Sequence, residues 1–526
     1  MNERSLNPGQ GRTAPTLICS FVERIDVAYW SLDECVSAPS RFQIFFDDPM
    51  GQRYVDFAES IGEEVEISFG TGPAFKGKVW GRRLNNDPVH GGTVCELYGY
   101  DNSFALKTGH RLRSFAEATF EEIAEQIIAP TQMSVRMPEP PAGRLGETTQ
   151  LVQYWESDFA FLYRLAYQSG FHLWPYRGEF WLGSGPGAEV SCTIDATPNA
   201  NHPYEVVAKE LHDGHDLVPP GYVFPTIPSF FPDAEKAKNG DSLQVAPDTD
   251  TPAHVLSPDQ YQQMPTALAL TESDVEPMAS ASSSRAQRER VQGMFVLAGE
   301  PPEDLMLGSP TAIGLHGKAL ADGAIATRIR HEFVGASQRT IVSLGRQSNL
   351  LATIPDLLPA KHLWPAQIKG DYDPKLGVQM IQFAGWDSES QPINARLRAI
   401  SAKTGRGIIS KYDMDEWVIV GFEQGNPDAP IVIGSILAEP QEDLDSKSSS
   451  LLAAVANGKP VDFNLTEGGQ LEINHEDGNF LVQLDFAEKK INLKTGETQL
   501  QLAESKVGLS SNGEMEIKAT KIDMKE

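Results

Sequence analysis

The chain has 526 residues, 40% of them hydrophobic, and a formal net charge of −28. That length allows roughly three or four domains with real cores. The acidity excludes a partner held through nucleic-acid phosphates, which needs a basic surface. No stretch reaches the roughly 18 apolar residues of a membrane-spanning helix, so no stable membrane span is expected. The opening MNERSLNPGQGRTAP lacks the basic-then-apolar order of a signal peptide. Cys19, Cys35, Cys95 and Cys192 are scattered without metal-type spacing. A reduced, cytosolic birthplace fits these features, with export by a route that needs no signal peptide left open.

Residues 1–15 read as a flexible arm. From Thr16 the chain gives short strands at Arg41–Phe46, Glu64–Phe69, Phe75–Trp80 and Thr93–Tyr100, several with clean apolar/polar alternation. Phe115–Ile128 reads as a helix, with Phe120, Ile123 and Ile127 at helical spacing and Thr119 and Glu122 as a capping box. A second helix opens at Ser157 or Asp158, carries a stripe of Phe159, Leu162 and Ala166 flanked by Leu165, and closes at Gly170. A hairpin of Phe171–Trp174 and Glu179–Leu182 follows. Residues 212–290 are rich in Pro, Ser, Asp and Gln and read as an extended insertion, with a short helix at Ser283–Leu297. Ile325–Gly345 reads as strand, turn and strand. The span 16–350 therefore reads as one region with the insertion inside it.

The span 360–437 is a second unit. Asp373–Gly377 is a turn, Val378–Phe383 a strand, and Ala395–Ile400 a strand with alternating Arg396 and Arg398. Trp417–Phe422 is an unbroken apolar run, expected to be a strand buried on both faces. Gln424–Asp428 is a tight loop, and Ile431–Ile436 is a second apolar run, so the pair forms a hairpin that closes a small barrel. Residues 438–461 form a neck rich in Ser, Ala and Asp. Over 462–526 alternation persists: Leu471 and Ile473; Phe480, Val482 and Leu484; Ile491 and Leu493; Leu500 and Leu502; Val507 and Leu509; Met515 and Ile517; Ile522 and Met524. Strands recurring roughly every seven to eleven residues mark a β-solenoid or prism. One thin layer of strands cannot bury its apolar side alone, and self-association, most simply threefold, closes it. The ladder from Leu471 to Ile517 is thus the expected needle core and trimer interface.

Two stretches carry a family resemblance. The order Gln153, Tyr154, Glu156, Ser157, Asp158, Phe159, Phe161, Leu162, Arg164, Leu165 and Gly170 resembles a motif of the hub in VgrG-like spike proteins of contractile injection machines, the family that includes the phage baseplate hub-spike. Asp415, Glu416, Phe422, Glu423, Gly425, Pro427, Pro430, Val432 and Gly434 resemble the end of that family's oligonucleotide/oligosaccharide-binding (OB) barrel. Met414 stands where the family often has Gly, and Asn426 where it has Asp. The resemblance implies a mainly β chain with minor α: tandem barrel-like hub domains, an OB-fold barrel and a trimeric β-prism or β-helix needle. It also implies a mechanical function, with a homotrimer capping the inner tube and puncturing a target envelope. The implied partners are the inner-tube protein at the hub end, baseplate proteins, a PAAR-type tip protein on the needle and separate effector cargo. The particle would be assembled in the bacterial cytoplasm and sent to the extracellular space or a target cell on firing. Type VI secretion, an extracellular injection particle and a phage tail all fit.

No catalytic residue, cofactor or metal site is assigned. His212-Asp213-Gly214-His215-Asp216 has ligand-type residues, but they crowd one Gly-containing loop, and a solvated turn is the plainer reading. His331-Glu332 lacks a second His at helical spacing. Gly183–Gly187 precedes no convincing helix, so it is not a phosphate loop. Two other readings stand beside the spike: a spike with an enzymatic effector role, which needs an extra globular domain, and an acidic OB-type binding protein, which would be a monomer.

Overall fold

The computed structural model describes residues 4–5, 16–19, 27–68, 74–87, 92–141, 143–147, 149–184, 192–195, 205–210, 221–225, 243–244, 262–266, 291–298, 305–315, 318–334, 337–345, 359–374, 376–387, 390–403, 406–436, 449–456, 459–465, 470–475, 480–504 and 506–513. Two compact units make up the chain, Met1–Pro359 and Ala360–Glu526. The chain is mainly β with minor α, as the alternating runs imply.

The first unit is built on a 13-stranded sheet. Its central ladder runs from Glu64–Ser68 through Phe75–Asp87, Gly92–Asp101, Arg41–Asp47, Val27–Cys35, Lys318–Val334 and Ser337–Leu344 to Val291–Ala298. The 17-residue strand Lys318–Val334 serves two apolar cores. Phe333 belongs to one, lying 3.8 Å from Trp30 in a parallel stack among Leu32, Phe42, Ile44 and Phe75. Ala326 and Ile329 belong to the other, with Trp174, Phe295, Leu307 and Val342. A third core holds the helices Phe120–Ile128 and Asp158–Gln168, with Phe120, Ile123 and Ile127 against Phe159, Leu162 and Leu165. Over the expected insertion the described strands are Gly221–Pro225, Leu243–Gln244 and Gln262–Thr266, which form a small sheet.

Two helix expectations need correction. The first helix is Phe120–Ile128, not Phe115–Ile128, because Thr119 is its N-cap: extended at φ −80° and ψ 161°, in a reciprocal capping box with Glu122. Phe115 lies instead in the strand Arg111–Ala118, opposite Leu151, where it stacks on Phe161. The helix expected at Ser283–Leu297 is a strand over Val291–Ala298; residues 283–290 lie outside the described residues. That strand pairs Phe295 with Val342, and long-range pairing onto a buried sheet overrides local helix propensity. The hairpin His172–Tyr176/Glu179–Gly183 forms as read, with Arg177 (φ 46°) and Gly178 (φ 89°) supplying the left-handed turn that hairpins favour.

The second unit holds a closed five-stranded barrel of Trp364–Ile368, Val378–Phe383, Ile393–Leu397, Pro430–Ser435 and Trp417–Phe422. Parallel pairing of Arg396 with Ile431 closes it. Trp417–Phe422 is not buried on both faces within one chain: Val418 and Val420 point into the barrel, while Trp417 and Ile419 are only half-buried. Closure puts alternate residues inside, so the outward set is left to solvent or a neighbour. The run expected as one strand over Ala395–Ile400 is broken at Arg398. Ile393–Leu397 stays in the barrel, and Ala399–Lys403 starts a nine-stranded sheet. That sheet takes in more chain than 462–526: the hairpin Ala399–Lys403/Arg406–Ile409 and the strand Ser449–Ala456 precede Lys459–Leu465.

Candidate functional site

The hub motif folds into a buried lock. Tyr154 and Glu156, two residues apart on the strand Thr149–Glu156, share its inward face as strand alternation requires. Trp155 between them points outward, 63% exposed, with a left-handed φ of 49° at a register shift in the ladder. Glu156 is thereby aimed at Arg164, whose side chain is fully buried on the helix Asp158–Gln168. Arg164 Nη2 donates to Glu156 Oε1 at 2.8 Å and to the Val152 carbonyl at 2.7 Å. Ser157 caps the helix by accepting from the Ala160 amide, and Arg113 donates to both Gln153 and Asp158 at 2.6 Å. Within the motif, Gln153 pairs with Asp158 and Arg164 with Glu156, as buried charges require.

The barrel motif is likewise a set of mutual restraints. Arg396 Nη1 meets Glu423 Oε2 at 2.9 Å, and Lys369 Nζ meets Asp415 at 2.6 Å. The Asn426 side chain accepts from the Asp428 amide at 3.0 Å, the local Asx turn an Asp would also make. Asp415 (φ 65°), Gln424 (φ 48°) and Gly425 (φ 84°) hold left-handed turns at the two ends of the strand Trp417–Phe422.

The expected needle ladder lies on one side of the nine-stranded sheet. Antiparallel register aligns Phe463, Ile473, Val482, Leu493, Leu500 and Leu509 in one row. A second row runs Leu471, Leu484, Ile491, Leu502 and Val507, and Phe480 sits two residues before Val482 on the same side. Among the described residues of this unit, no apolar side chain after Val432 is buried. Leu493 is 38% exposed, Leu509 54% and Val507 67%. Met515, Ile517, Ile522 and Met524 lie outside the described residues. The opposite side is a polar ladder: Gln483 Nε2 donates to Gln470 and Glu472 at 2.8 and 2.7 Å, and Asn492 Nδ2 donates to Gln483 Oε1 at 2.7 Å. Gln470 in turn donates to the buried Asp485. One face thus carries a hydrogen-bonded ladder within the chain, while the apolar face is left open.

Groups weighed for chemistry fall elsewhere. His212, His215 and residues 185–187 are outside the described residues. His331 is a core residue, 1% exposed, with Nδ1 3.2 Å from Thr340 Oγ1 and Nε2 3.6 Å from Glu34. Cys35, Cys95 and Cys192 are buried, and burial pushes Cys95 up to about 11, away from the thiolate needed for attack. Among the described residues no three His, Cys, Asp or Glu side chains converge as a metal site.

The first unit thus holds three apolar cores, one of them carrying helices, and the second a closed barrel and a meandering sheet of short strands. No protein-family model and no curated protein sequence matches the chain. Among solved structures, the chain is similar to the E. coli c3393 protein, described as a type VI secretion system component with structural similarity to the T4 bacteriophage tail proteins gp27 and gp5. Identity is 14%, coverage 80% of this chain and 99% of that one, and the TM-score 0.50. A Francisella PdpA-VgrG complex, in its lidded form, gives 8% identity, 92% and 76% coverage and a TM-score of 0.49. A tail protein from Neisseria meningitidis MC58 gives 13%, 64% and 98%, and 0.46. The likeness to c3393 shows a shared fold, the fold class to which the chain's two motifs point.

Proposed function

We propose that this protein is the structural hub and spike of a contractile injection apparatus. It acts as a homotrimer that caps the inner tube and perforates a target envelope when the sheath contracts. The observation that carries the reading is the needle sheet, with one face hydrogen-bonded within the chain and an apolar ladder that one chain leaves open. Three copies closing their ladders against one another give a dry core along a threefold axis and a polar exterior. A prism held by continuous strand ladders resists bending, which is what a puncturing element needs. On this reading the hub end meets the inner-tube protein and baseplate proteins, and the needle end carries a PAAR-type tip protein, with effectors as separate cargo. The particle assembles in the bacterial cytoplasm and delivers the spike outside the cell or into a target. The role is mechanical rather than catalytic. Light scattering on the purified chain tests the central point: the expected mass is three times 57.6 kDa. A stable folded monomer would remove the basis of the proposal.

A further inference from the structure

The first unit contains a cleft of about 240 Å³ that neither the hub motif nor the spike reading uses. It lies between the strands Glu64–Ser68 and Phe75–Asp87 and two short 3-10 turns, Asn102–Lys107 and Ala129–Thr131. Glu64 and Lys78 face each other across the strand pair and both are exposed, yet no ion pair joins them among the described residues. Trp80, 42% exposed, forms one wall. Its ring is held edge-on by Phe104 at 4.6 Å, and Phe104 stacks flat on Tyr100 at 4.1 Å, so the indole is a fixed platform. Asn102, Thr131 and Gln132 complete the lining. The Gln132 backbone is locked at φ 61°, where it ends the second turn. The floor is Asp101, both of whose carboxylate oxygens are occupied by Ser40 and Ser103.

We propose that this cleft is a saccharide subsite, taking one neutral pyranose ring of a glycan. Four observations select that chemistry. The volume falls below the roughly 300 Å³ where sites for drug-sized ligands begin, so the occupant is about one ring in size. The lining is polar apart from Trp80, Ala105 and Pro130, which disfavours a lipid tail or an apolar side chain. A carboxylate and an ammonium stand at the same rim, so no single-sign field selects a phosphate or another anion. An aromatic ring held in place by Phe104 beside amide, hydroxyl and carboxylate groups suits a sugar ring, which offers an apolar C–H face and an equatorial rim of donors and acceptors. The proposal does not depend on the spike reading, because it rests on this one unit.

The test is saturation-transfer NMR and tryptophan fluorescence on the full chain, with N,N′-diacetylchitobiose and maltose as probes and free lysine and inorganic phosphate as comparators. Saturable binding of at least one disaccharide is expected, weakened about tenfold or more by Trp80→Ala. Trp80→Phe keeps an aromatic face and should retain most of the binding, and Asn102→Ala should weaken it with the circular dichroism unchanged. Absence of saturation by both disaccharides overturns the proposal, as does displacement by lysine or phosphate in preference to sugar. So does equal affinity in Trp80→Ala or, should that variant fail to fold, in both Trp80→Phe and Asn102→Ala.

Discussion

Leu493→Asp is the sharpest probe of the needle. Leu493 sits mid-sheet with Val482 and Leu500 as its direct cross-strand partners. In one chain it is 38% exposed, so a monomer would take the aspartate with its carboxylate in water, and a change at such an open position costs within about 0.5 kcal/mol. In a trimer the same position faces two more ladders. Burying a polar group without a partner costs roughly 2–7 kcal/mol, and threefold repetition brings that to roughly 6–20 kcal/mol per assembly. That range meets or exceeds the roughly 5–15 kcal/mol stability of a whole domain. Two outcomes so far apart make the variant decisive. Leu502→Asp, between Ile491 and Val507, should behave in the same way. Glu497→Ala and Lys506→Ala, at exposed positions, should be close to neutral. The assay is mass by light scattering followed by limited proteolysis. If the aspartate variants form trimers as protease-resistant as the wild type, the apolar ladder is not the interface and the assigned inner face is wrong.

Three further outcomes follow from the first unit. Arg164→Leu leaves Glu156 buried without its bidentate partner and should cost about 3–5 kcal/mol in chemical denaturation, whereas Arg136→Leu, at an exposed pair with Glu179, should cost under about 1 kcal/mol. Burial pushes Asp101 up to about 6 from 3.8, outweighing the hydrogen bonds from Ser103 and Ser40 that pull it down. The folded state then binds this proton more tightly than the unfolded one, so the stability it contributes is full below about pH 4 and is lost as pH rises through about 6. That loss is about 3 kcal/mol, and Asp101→Asn should flatten this part of the pH–stability profile measured by thermal melts. Gly99→Ala should prevent folding of the hub sheet, read as loss of soluble protein, because the added methyl carbon would lie 1.9 Å from the Lys78 carbonyl oxygen, a backbone atom that cannot step aside.

Much of this architecture was legible in the residues themselves. Period-two alternation carries strand identity and separates the apolar from the polar side of the nine-stranded sheet, because successive side chains must point to opposite faces whatever the tertiary context. Thr119 with Glu122, and Ser157 before Asp158, mark helix starts through hydrogen bonds local to one turn. What the sequence could not settle depended on partners distant in the chain. Phe115 was read with the helix that follows it, but pairing with Leu151 drew it into a strand. Val291–Ala298 became a strand because Ser337–Leu344 offered a buried edge. Arg398 separates a barrel strand from the first strand of the needle sheet, a boundary created by closure of the barrel rather than by any turn residue. The saccharide cleft was the least visible of all. Glu64, Trp80, Asn102 and Gln132 share no motif or spacing, and only the packing of two turns against a sheet brings them to one rim.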